Sequence, residues 1–137
     1  MTAYPQLLHT VLDTTHPREL AEFYRQLLGL AYRPGDEPPA EGASEAPDWL
    51  VLRHPDGGNV LAFQLVDRLP PTTWPEHDLP MRLHLDFTVP DTAELDRQRQ
   101  RAEALGARLL LDRYDDPEEP LYVFADLSGH PFCVFVR

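Results

Sequence analysis

The chain contains no lysine: its twelve basic residues are all arginine, set against 23 Asp plus Glu for a formal net charge of -11. A surface of that sign repels phosphate backbones and anionic headgroups within a Debye length, so neither nucleic acid nor a membrane is an expected partner. There is a single cysteine, Cys133, which excludes an internal disulfide and fits a reducing, cytoplasmic setting. Apolar runs long enough to span a bilayer are lacking, and the N-terminal MTAYPQLLHTVLD has no basic stretch leading into an apolar segment of the secretory kind. A Walker loop, a dinucleotide fingerprint, HExxH, GxSxG and zinc-finger spacings are all missing too, which removes the commonest cofactor and hydrolase signatures.

What is present is an ordinary folding composition, 42 % hydrophobic and 26 % charged over 137 residues, enough for one domain or two half-size modules sharing a core. Arginine used throughout in place of lysine, with 15 prolines, suggests a GC-rich, bacterial genome. Residues 7–13, LLHTVLD, alternate as a half-buried strand. A helix follows, entered through Thr15 or His16 and Pro17, with Leu20, Phe23, Tyr24 and Leu27 as its apolar stripe and Gly29 at its end. The acidic, proline-rich segment from Pro34 to Asp48 has no periodicity and reads as a mobile surface loop. WLVLRH at 49–54 and VLAFQLV at 60–66, separated by PDGGN, read as a hairpin.

After the proline-rich stretch RLPPTTWPEHDLP the pattern restarts. RLHLDFTV at 82–89 is the new opening strand, and Asp91 and Glu94 have capping-box spacing ahead of a helix carrying Leu95, Gln98, Ala102 and Leu105. Gly106 ends that helix, and ARLLLD, LYVFAD and PFCVFV supply three further strands. His9 and His84 stand 75 residues apart, as do Glu19-Leu20 and Glu94-Leu95. This is an internal repeat of strand, helix, short strand and hairpin. Its modules are expected at about 6–67 and 81–137, with a linker at about 68–80.

A tandem βαβββ repeat with LLHTVLD, FYRQLLGL and DLSGHPFCVFV at these places resembles the vicinal oxygen chelate superfamily, in its glyoxalase-like and bleomycin-resistance-like branches. The resemblance implies an α+β fold, that of the glyoxalase, bleomycin-resistance and dihydroxybiphenyl dioxygenase proteins. Two half-barrel sheets would form a cup between modules, and the chain would be a homodimer. In metal-dependent relatives the ligands come from each module's first and last strands, a pattern that falls here on His9, Gln64, His84 and Cys133. The last-strand positions of glyoxalase I and of the ring-cleaving dioxygenases hold glutamate, so Gln64 and Cys133 speak against both activities. No catalytic residue is assigned.

Two readings of the cup follow. In the first it binds a small organic ligand, such as a natural product to be sequestered, through His9, Asp13, Gln64, His84 and Asp86, without a tightly bound cofactor. In the second, a metal-dependent lyase or isomerase, a divalent ion (Zn, Ni, Mn or Fe) is held by His9, His84 and one or two of Gln64, Cys133, Asp13 and Asp86. Cys133, flanked by Phe132 and Val134, reads as a packed residue, because a nucleophilic thiol needs a positioned activating group and His130 falls on the opposite face of a regular strand. His54 and His77 read as solvated and His16 as a helix-entry residue. Trp74–His77 reads as a surface linker, with a ligand-cleft wall as the alternative. The acidic loop reads as solvated, with recruitment of a cationic drug as the alternative.

Overall fold

Pro17 cannot donate a backbone hydrogen bond, so it suits the first turn of α1 (Pro17–Leu28), and Gly29 leaves that helix in the left-handed region at φ 67°. The entry is secured from outside the helix, by the Thr14 hydroxyl accepting from the His16 amide at 2.9 Å. The computed structural model describes residues 4–71 and 73–137. The first three residues of the N-terminal segment and Thr72 of the proline-rich connection lie outside that description. Contacts divide the chain into two compact units, Met1–Leu69 and Pro70–Arg137. Among the described residues no helix is long and apolar enough to cross a membrane.

The first unit comprises β1 (Thr10–Thr14), α1, β2 (Ala31–Tyr32), β3 (Trp49–His54) and β4 (Gly57–Leu65). Its sheet runs β1-β4-β3-β2, with β1 parallel to β4 and the other pairs antiparallel. Leu12, Phe63 and Leu50 form one cross-strand row, all buried. Tyr24 of α1 stacks on Phe63 at 6.1 Å, so this row and the helix stripe together make the unit's core. The expected strand at 7–13 begins three residues late: Leu7 and Leu8 are 89 % and 65 % exposed and lie outside β1, so alternation continued there with no strand to pair with among the described residues. PDGGN is likewise tighter than expected. Gly57, Gly58 and Asn59 belong to β4, and the register shifts on either side of Arg53 absorb the extra residues.

The Pro34–Asp48 segment, expected to be mobile, is held at several points. The Arg18 guanidinium of α1 donates to both Glu45 carboxylate oxygens at 2.8 and 2.9 Å and to the carbonyls of Asp36 and Glu37, while lying 4.8 Å over the Tyr32 ring. Asp36 in turn accepts from the Val51 amide of β3 at 2.9 Å. Sequence composition missed this because the partners are 27 residues apart and their spacing carries no local signal. The Arg18→Ala variant is expected to speed amide hydrogen exchange across 36–45 by about tenfold, the loss of roughly one charge-assisted hydrogen bond. Unchanged exchange rates would contradict the anchoring role.

The second unit repeats the plan: β5 (Leu85–Val89), α2 (Thr92–Ala104), β6 (Arg108–Arg113), β7 (Leu121–Ala125) and β8 (Pro131–Val136), in the order β5-β8-β7-β6. Asp91 caps α2 by accepting from the Glu94 amide at 2.8 Å, but the Glu94 carboxylate goes to Arg97 and Gln98, so only half of the expected capping box forms. Phe87, Phe124 and Phe132 cluster on one face of the sheet, with the last two stacked at 5.1 Å. Arg99 of α2 lies over Tyr122 of the same cluster, and Leu95 and Ala102 bury the helix's inner side. The two sheets are open and mixed, giving an α+β fold of two βαβββ units.

Candidate functional site

Cross-strand register assembles the second unit's other face. Leu111 of β6, Val123 of β7, Cys133 of β8 and Asp86 of β5 form one continuous row. The adjoining row runs from Arg113 to Leu121 and Phe135. Because side chains alternate along a strand, these rows point away from the Phe132 cluster and from α2. His84 immediately precedes β5, level with Pro131. Trp74, Met81, His84, Leu111, Arg113, Leu121, Val123, Pro131 and Cys133 line a half-open cavity of ≈ 220 Å³ on this face, somewhat below the ~300–1,000 Å³ usual for drug-sized ligands.

At its edge, His84 Nε2 lies 3.3 Å from Oδ1 of Asp86, which is not itself a lining residue. Donor atoms of His84, Asp86 and Cys133 all fall within 4.8 Å of one another. The Cys133 thiol is pushed up to about 11 by burial, with the negative charges of Asp86 and Glu119 adding to the effect. It is therefore a neutral thiol near pH 7 and no nucleophile. The His130 amide and the Ser128 amide both donate to Asp126, fixing the β7–β8 turn that delivers Cys133 to the cavity.

In the first unit the candidate residues are His9, Asp13 and Gln64. His9, one residue ahead of β1, has Nδ1 3.1 Å from the Asn59 amide nitrogen and its ring 5.9 Å from that of Trp49. Nδ1 being engaged, Nε2 is the nitrogen left for another partner. Asp13 and Gln64 are register partners and both are exposed. The registers also refine the repeat: Thr10 opposes Leu61 and Leu85 opposes Phe132, so the counterpart of Cys133 is Ala62, fully buried and without a donor atom, while Gln64 corresponds to Phe135.

Both opening histidines sit just before their strands and not within them, as the sequence reading had it. Trp74 lines the cavity, which favours the ligand-wall alternative over a plain linker. Sequence reasoning missed Arg113, Leu111, Leu121 and Val123. Their shared odd-numbered parity was available, but which face it marked depended on a β6–β7 register interrupted between Leu109 and Leu111.

A family model described as a glyoxalase-like domain matches residues 9–135. The chain belongs to that family. No curated protein matches it. Solved structures agree on the fold at low identity. A glyoxalase/bleomycin resistance protein/dioxygenase family enzyme from Burkholderia phytofirmans PsJN has a TM-score of 0.67 at 15 % identity, over 94 % of this chain and 96 % of that one. The fosfomycin resistance protein FosX from Mesorhizobium loti gives 0.66 at 16 %, over 98 % and 93 %. FosX from Listeria monocytogenes, solved with Mn(II) and sulfate, gives 0.65 at 18 %, over 100 % and 94 %. These likenesses establish the vicinal oxygen chelate fold.

Whether this family member's residues suit a divalent ion can be judged from the donor set. One imidazole, one carboxylate and one thiol would satisfy zinc, with a fourth position left open, provided the side chains close to the ~3.4 Å donor spacing of a tetrahedral site. Asp86 would supply the carboxylate that the last strand lacks.

Proposed function

We propose that this glyoxalase-like protein binds a small, largely apolar organic molecule in the cavity of its second unit. The observation that carries the reading is the cavity's lining. Among the described residues, seven of its nine walls are Trp, Met, Leu, Val, Pro or a neutral Cys, and the other two, His84 and Arg113, bring basic heads. Apolar area removed from water supplies most of the affinity in such a site, at about 25 cal/mol per Å², and the polar groups set orientation. Asp86 steers His84 in this cavity; for the first unit, taken by itself, His9, Asp13 and Gln64 are the proposed ligand-contacting groups. The setting we propose is a cytoplasmic homodimer that sequesters a natural product; a monomer mass by light scattering would remove the dimer from this reading.

The test is a plug. Val123→Trp fills the cavity from its floor while leaving the strand apolar. Phenylacetamide, a small neutral aromatic, is expected to raise the Tm of the wild-type chain and to leave that of the variant unmoved. Equal shifts in both would place binding elsewhere.

The His84, Asp86 and Cys133 cluster favours a second reading, a metal-dependent lyase or isomerase. A divalent ion held there would supply Lewis-acid stabilisation of an oxyanion. His84 would act as neutral imidazole and Asp86 as carboxylate, and Cys133 would have to give up its proton, which its raised pKa makes unfavourable without the ion. Elemental analysis of protein purified without added metal or chelator separates the readings: stoichiometric Zn, Ni, Mn or Fe that His84→Ala loses would sink the binding-only proposal.

A further inference from the structure

The cavity's charge runs against that of the molecule. In a chain of net charge -11, the side chain lining this cavity with a permanent charge is a cation, Arg113. Among the described residues, five other arginines are paired with carboxylates: Arg18 with Glu45, Arg25 with Glu22, Arg33 with Asp36, Arg97 with Glu94, and Arg99 with Glu103 and Asp112. Among the described residues no carboxylate lies within 4 Å of the Arg113 guanidinium. Asp116 feels its field, but the Asp116 carboxylate is turned to the Glu118 and Glu119 amides at 2.9 and 3.0 Å.

The position of Arg113 is also specific. It ends β6, one edge of the sheet, directly opposite Leu121, whereas His84 stands at the other edge, ahead of β5. Between them lies the apolar floor of Leu111, Leu121, Val123 and Cys133. No carboxylate is among the described lining residues: Cys133 keeps its proton, and Asp86 and Glu119, whose charges help it do so, stand outside the lining. An unpaired guanidinium beside an apolar floor is suited to a carboxylate, a phenolate or another compact oxyanion, which it meets with two parallel N–H donors.

We infer that the ligand of this cavity is a small apolar acid, its ring or chain on the Leu111–Val123 floor and its anionic group on Arg113. The inference rests on the ligand-binding reading above and adds the ligand's charge. It makes Arg113 a specificity-determining residue, selecting among molecules of one shape by their head group.

Three probes of matched shape test it at pH 7.5: phenylacetate, phenylacetamide and phenethylamine, followed by titration calorimetry. Phenylacetate is expected to bind at least about tenfold more tightly than the amide, the worth of one charge-assisted pair, with the amine weakest. Arg113→Gln should remove the preference for the acid, while a native circular dichroism spectrum and a cooperative melting transition show that the variant is folded. Arg97→Gln, an equal change of net charge on the exposed side of α2, should preserve the preference. If the amide binds but the acid holds no advantage, or if Arg113→Gln keeps that advantage, the cavity remains a ligand site and this inference falls. If none of the three binds, the ligand-binding reading falls with it.

Discussion

Phe132→Ala is expected to destabilise the second unit by about 3–5 kcal/mol, the usual cost of removing a fully buried aromatic from a packed core. Phe132 is fully buried, stacks on Phe124 at 5.1 Å and meets Phe87 at 5.7 Å. It joins β8 to both β7 and β5, so the hole left by its ring opens at the junction of three strands, where collapse from one side leaves a void on another. With total stabilities of roughly 5–15 kcal/mol, such a loss leaves little margin. At a urea slope near 2 kcal/mol per M the midpoint should fall by about 2 M. Phe135→Ala provides the contrast, since Phe135 is only half-buried on the opposite face and lies under Arg137. Its midpoint should fall by well under half as much, and equal losses would mean that the two faces of β8 have been assigned wrongly.

The second large effect concerns Cys133. With its pKa raised from 9.0 to about 11, its thiolate fraction at pH 8 is about 100-fold smaller than that of a free thiol, and alkylation by iodoacetamide should slow in proportion. Asp86→Asn should restore part of the rate, because it removes one of the negative charges opposing ionisation while leaving burial, the larger cause, in place. Stability follows the same linkage. The native state prefers the protonated thiol, so its contribution is complete below the unfolded pKa and is lost as pH rises from about 9 through about 11. Tyr32, pushed up to about 12 mainly by burial, acts in the same sense at still higher pH. Cys133→Ala should therefore flatten the fall in stability between pH 9 and 11. Fast alkylation at pH 8 would contradict the neutral thiol that contributes to the site's apolar character.

The repeat was legible because its signals are local. Thr10 and Leu85 open β1 and β5 75 residues apart, the same offset that pairs His9 with His84, and proline, glycine and the Asp91 cap mark helix ends within a few residues of where they fall. Register was not legible. Equating Gln64 with Cys133 from their places in the last strands of the two hairpins is off by two residues, because the bulges around Arg53 shift β3 against β4 and no single residue signals them. Nor could Leu7 and Leu8 be told from strand residues, since alternation states which face a side chain takes and not whether a partner strand is present. His84, Asp86 and Cys133 were all named from the sequence and do converge. Arg113 was passed over as one more surface arginine, as its meaning depends on what it faces across β7 and β8.

Ligand binding in the second unit's cavity is tested most directly by methyl NMR. Titrating phenylacetate into protein labelled at its Met, Leu and Val methyls should perturb Met81, Leu111, Leu121 and Val123 together, along one saturation curve, and leave Leu12, Leu20 and Leu50 of the first unit's core unmoved. A saturating response confined to other methyls, or no response at all, would contradict it.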